Sequence, residues 1–123
     1  MSTKDMYTWR EPEYGRMDLS GFEVEASDGT IGKVHEDTKR VGANCIVVDT
    51  GPWILGKKVM LPAATIKSVD HDEGKIFVDR PKDEIKDAPE FDEDRFREQS
   101  YRDELGSYYS SPERQRERQP TRR

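Results

Sequence analysis

Apolar and polar positions alternate with a period of two through much of the first eighty residues, which predicts strands rather than helices. Phe22 to Ala26 sets Phe22, Val24 and Ala26 against Glu23 and Glu25. Ser27-Asp28-Gly29-Thr30 then supplies turn chemistry, since Asp and Gly tolerate positive φ, and Ile31 to Asp37 resumes with Ile31 and Val34 as its apolar positions. This predicts a β-hairpin. The densest apolar stretch follows, from Gly42 to Pro62. Asn44 to Asp49 is a β-branched run, Thr50-Gly51-Pro52 a turn, and Trp53 to Leu61 a second strand interrupted by Gly56. Ala63-Ala64-Thr65 reads as one helical turn. Ile66 to Asp70 and Lys75 to Arg80 form a last hairpin around His71-Asp72-Glu73-Gly74. The expected fold is mainly β: a small antiparallel barrel of about six short strands, because closure is how such chains avoid exposed edges.

The pattern changes on either side of these strands. Residues 1–17 are polar, with Met6, Tyr7, Trp9 and Tyr14 at no regular spacing, and predict a flexible arm. Pro81 ends the last strand, and Lys82 to Asp87 predicts one helical turn. Over residues 91–106, Asp92-Glu93-Asp94 offers acids suited to a helix N-terminus and Gly106 a stop. Phe96, Tyr101 and Leu105 form an apolar stripe between them, able to pack on the barrel or on a partner chain. Residues 107–123 are Arg-rich and poor in apolar side chains, so a disordered tail is expected. The barrel domain is assigned to residues 18–90.

Composition sharpens this division. The chain has 123 residues, 32% hydrophobic and 38% charged, too little apolar content to fold along its whole length. A folded core of roughly 65 to 70 residues is near the small end of what folds without staples, so a homodimer is expected. Residues 93–123 hold seven acids and eight bases, so the net −5 of the chain resides in residues 1–92 as −6. An acidic domain gains nothing from counterion release, which argues against nucleic acid as a partner. The single cysteine, Cys45, excludes an internal disulfide framework and fits a reducing, cytoplasmic setting. No run approaches the roughly 18 apolar residues a membrane span requires, so membrane association is expected only through a partner.

Candidate chemistry is sparse. Cys45 lies inside a strand, where a thiol is usually a small buried hydrophobe. His35 and His71 lie in different hairpins without ligand spacing, which argues against zinc. Asp70-His71-Asp72-Glu73-Gly74 approaches the opening of a calcium loop, but its Gly comes one position early and no distal Glu follows, so a turn is the better reading. No serine has nucleophile-elbow context, and no glycine leads from a strand into a helix to cradle phosphate. The chain is therefore expected to be no enzyme, with no catalytic residue, cofactor or metal. The candidate partner-binding residues are Trp53, Ile54 and Leu55 beside their turn, and Phe96, Tyr101 and Leu105 on the predicted helix.

Asp28-Gly29-Thr30-Ile31-Gly32-Lys33-Val34, Ile46-Val47-Val48-Asp49-Thr50-Gly51, Leu55-Gly56-Lys57-Lys58-Val59-Met60-Leu61-Pro62, Val69-Asp70 and Ile76-Phe77-Val78-Asp79, in this order and at these intervals, resemble the PRC-barrel domain over roughly Gly21 to Glu90. The resemblance implies a small barrel of about six strands that binds proteins and carries no catalytic machinery. That family includes the cytoplasmic barrel of the photosynthetic reaction-centre H subunit, a ribosome-maturation factor and many stand-alone bacterial proteins. This chain has neither the transmembrane helix of the first nor the second barrel of the other. The implied function is a protein-binding adaptor of unknown partner; the alternative, by analogy, is an accessory of a membrane or photosynthetic electron-transfer complex.

Overall fold

A computed structural model describes residues 6–36, 38, 44–51, 57–92 and 94–110. Six strands form one sheet: β1 (Glu23–Ala26), β2 (Gly29–Val34), β3 (Cys45–Asp49), β4 (Lys58–Pro62), β5 (Ile66–Asp70) and β6 (Lys75–Val78). Their order across the sheet is β4-β3-β2-β1-β6-β5, and the sheet curls into a half-barrel. The all-antiparallel expectation needs one correction. β1 and β6 run parallel, so the first and last strands are neighbours and the sheet is mixed. The local hairpins come out as the turn chemistry predicts: Ala26 pairs with Gly29 across Ser27-Asp28, and Asp70 pairs with Lys75 across a turn closed by Gly74 N–H on His71 O.

The concave side of the sheet is the core. Val24, Val34, Ile46, Val48, Val59, Leu61, Ile66, Ile76 and Val78 are all buried, and register places them on one face: Val34 opposite Val48, Val24 beside Ile76, Ile46 opposite Leu61. β3 and β4 differ from the rest because their other face is buried too. Cys45, Val47 and Met60 are at most 1% exposed although they point away from the barrel interior. This double burial is why β3 and β4 are so apolar, as expected of strands covered on both faces.

The covering layer comes from segments outside the strands. After β6, a short helix α1 (Lys82–Lys86) starts behind Pro81 and buries Ile85. The chain then passes along the outer edge of β4, where Glu90 bridges Val59 and Phe91 N–H donates to Lys58 O, so that edge is not open. Helix α2 spans Gln99–Ser110, starting later and ending later than the sequence predicts. Asp92 caps a preceding turn instead, its Oδ1 accepting the N–H groups of Asp94 and Arg95, and Gly106 lies inside the helix as a buried residue. Burial of Tyr101, Leu105 and Tyr109, at roughly 1.5–3 kcal/mol each, holds a helix too short to be stable alone.

Residues 6–17, expected as a flexible arm, are packed. Met6 is buried, Pro12–Arg16 makes a 3₁₀ turn, and Tyr7 Oη donates to Arg102 O on α2. Trp9 lies on Gly15, where a Cβ would come within 2.8 Å of the indole Nε1. These aromatics lack sequence periodicity because they lie in short 3₁₀ turns and bends rather than in a long helix or strand; Tyr7 reaches α2, and Trp9 packs edge-on against Tyr14.

Candidate interaction face

Where the two terminal segments meet the sheet, one dipeptide ties them down. Asp79 and Arg80 follow β6 directly. The Asp79 carboxylate pairs with Arg10 of the N-terminal segment through one oxygen and with Arg80 through the other. Arg80, only 4% exposed, donates from Nη2 to Tyr109 O at 3.0 Å and pairs through Nε with Glu84 Oε2 at 3.1 Å. Tyr108 Oη donates to Glu84 O. A buried guanidinium thus satisfies the last turn of α2 while holding α1. Burial pushes the Tyr109 hydroxyl well above the ordinary tyrosine range, and its Oη has no hydrogen-bond partner among the described residues. This cluster is buried and tied up within the chain. It is a structural clasp.

Cys45 is equally enclosed. It lies under Tyr7 and α2, near Arg102, and burial pushes its thiol up to about 11 in spite of that cation. Burial also raises the hydroxyls of Tyr7 and Tyr101. A thiol this protonated and buried is a poor nucleophile. A cavity of about 310 Å³ opens beside it, between the β3 face and the N-terminal segment, with Trp9, Tyr14 and Leu19 in its wall. Among the described residues no group of three or more His, Cys, Asp or Glu side chains is placed to hold a metal ion. No helix among them is long and apolar enough to cross a membrane.

The convex faces of β2, β1, β6 and β5 are different, since strand alternation turns charges outward there. Register lines these up in a row that crosses every strand: Lys58 on β4, Asp49 on β3, Lys33 on β2, Glu23 on β1, Lys75 on β6 and Asp70 on β5. The signs alternate at each step. The Lys75 ammonium is 3.9 Å from Glu23, with both side chains 40% exposed. Cross-strand opposite charges contribute about 0.2–1 kcal/mol each to the sheet. The adjoining row is Thr30, Glu25, Phe77 and Ser68, with Thr30 Oγ1 donating to Glu25 at 2.8 Å. Phe77, 37% exposed, is the one exposed large hydrophobic side chain among the described residues. Two open depressions relieve this face: one of about 450 Å³ beside Glu23, Lys33 and Asp49, and one of about 520 Å³ beside Glu25, Lys67 and Phe77.

The residues singled out in the sequence are distributed otherwise. Phe96, Tyr101 and Leu105 are buried by the chain itself: Phe96 stacks on Phe91 at 5.6 Å, Tyr101 Oη donates to Glu90 O at 3.0 Å, and Leu105 is fully enclosed. Of the two partners open to that stripe, the barrel takes it. Trp53, Ile54 and Leu55 lie outside the described residues. Sequence reasoning missed Phe77, although its signal was present: it shares strand parity with Lys75 and Asp79, so period two aims it outward among charges. Comparison with protein-family models and with curated protein sequences gives no match.

Proposed function

We propose that this chain is a PRC-barrel module that binds protein and has no catalysis of its own, self-associating and working in a reducing compartment such as the cytoplasm. The observation that carries the reading is the convex face of β2, β1, β6 and β5 with Phe77 exposed on it. Other parts of the sheet have a cover drawn from the chain: the concave side closes on its own core, Cys45, Val47 and Met60 on the outside of β3 and β4 are buried, and the β4 edge meets Glu90 and Phe91. A buried Cys45 in no disulfide fits a reducing setting. The order of the PRC-like motifs along a curled six-stranded sheet supports the family reading.

A photoreactive benzoylphenylalanine at position 77 of the full chain, irradiated in cells, tests this. Covalent adducts at position 77, absent when the same group replaces exposed Arg97, are the expected result. Equal labelling at both positions, or none at 77, contradicts the reading.

A further inference from the structure

Resting on the proposal that the convex face binds protein, we infer that one occupant of this face is a second copy of the chain, docked antiparallel across the charge row. The symmetry of the charge row points to this occupant. On β2, β1, β6 and β5 the row reads Lys33, Glu23, Lys75, Asp70, and the exposed Asp49 of β3 lies beyond Lys33, where the arrangement below leaves it past the partner's β5 edge. An alternating row with an even number of members becomes its own complement when rotated by half a turn. With the two-fold axis between β1 and β6, Lys33 of one copy meets Asp70 of the other, and Glu23 of one meets Lys75 of the other. Both contacts occur twice, and every one joins opposite charges. A two-fold interface demands such self-complementarity. An alternating row of odd length would place like charges together.

The same row already pairs within the sheet, and that does not remove its capacity to pair again. Glu23 and Lys75 approach only to 3.9 Å and keep 40% of their side-chain surface exposed, so each retains hydrogen-bonding capacity toward solvent. Electrostatic complementarity of this kind sets orientation and excludes wrong registers more than it adds affinity. Four strands at about 4.8 Å spacing, each of a few residues at about 3.3 Å, give a face of roughly 19 by 16 Å, on the order of 300 Å². That is small beside the ~800 Å² per partner of a standard stable interface. The dimer therefore belongs to the weak, salt-sensitive class, with Phe77 at its rim.

The alternation permits a test in which misfolding cannot imitate success. In the full chain, Glu23→Lys changes the row to plus, plus, plus, minus, and Lys75→Glu changes it to plus, minus, minus, minus. Either variant alone sets like charges together at the two central contacts. Mixed, the two variants match at all four positions. Sedimentation equilibrium at about 50 mM salt, where the Debye length exceeds 10 Å, should show wild-type dimer, each single variant weakened on the order of tenfold or more, and the equimolar mixture restored to within about threefold of wild type. The double variant E23K/K75E should also dimerise, and about 500 mM salt should dissociate every dimer that forms. Single variants that dimerise as well as wild type, a mixture that stays monomeric, or a wild type monomeric throughout would each overturn the inference. Crosslinks from position 77 to other proteins would persist in that event, so failure of this dimer is distinguishable from failure of the binding role.

Discussion

Replacing Gly32 with alanine should be the most damaging single-methyl change on the sheet. Gly32 sits in β2 at φ +153°, and a Cβ there would lie 2.0 Å from the Asp49 carbonyl oxygen, 2.9 Å from its carbon and 3.0 Å from the Thr50 Cα. All three are backbone atoms of β3 and its exit, so no side chain can swing away. A carbon next to a carbonyl oxygen needs about 3.3 Å, and the strands must part by more than an ångström. β2 and β3 are joined at Lys33 with Asp49 and Val34 with Val48, immediately beside the clash. Losing that short ladder at about 1 kcal/mol per hydrogen bond, with about 1–3 kcal/mol of backbone strain, predicts a loss of roughly 3–5 kcal/mol. Urea unfolding followed by circular dichroism should show the midpoint falling by about 1 M or more, for a slope of about 1–3 kcal/mol/M. Gly51→Ala is the control: its φ is also positive at +55°, but a Cβ meets nothing within 4 Å, so only about 1–2 kcal/mol of conformational cost applies. If Gly32→Ala is no worse than Gly51→Ala, the close approach of β2 to β3 is not what fixes glycine there.

Other consequences follow from the clasp and the buried thiol. Arg80→Ala strips the guanidinium from buried Glu84 and from Tyr109 O, and should cost about 3–5 kcal/mol in the same unfolding assay. Tyr109→Phe removes a buried hydroxyl without a partner, and should be neutral or stabilising by about 1 kcal/mol, whereas a loss of similar size would show that the hydroxyl is satisfied. Cys45 has its pKa raised from 9.0 to about 11, so its contribution to stability is fully present below pH 9 and is lost as pH rises through 11. At pH 8 its alkylation by iodoacetamide should be slow and should accelerate in denaturant; fast native labelling would contradict its enclosure.

The hairpins were legible in the sequence because each is a local matter of alternation and turn residues. Asp28-Gly29 and Gly74 mark turns that the chain makes, and Val24, Ile31, Val34 and Ile76 lie inside as their apolar character requires. The parallel pairing of β1 with β6 was not legible, since it joins segments some fifty residues apart with nothing local to signal it. That pairing completes the charge row, because Glu23 and Lys75 become neighbours only through it. The packing of residues 6–17 was not legible for a related reason. Tyr7, Trp9 and Tyr14 have no period, yet Tyr7 finds α2 and Trp9 finds a glycine. Phe77 could have been read from strand parity; its place beside a self-complementary row could not.

The most direct test of the account is a concentration series of amide proton–nitrogen spectra on the full chain at low salt. The account predicts that shifts on concentration gather at Glu23, Lys33, Asp70, Lys75 and Phe77, while residues 99–110 of α2 stay fixed. Shifts gathered on α2 instead, or none at any concentration, would contradict the claim that the convex face is where this protein meets its partner.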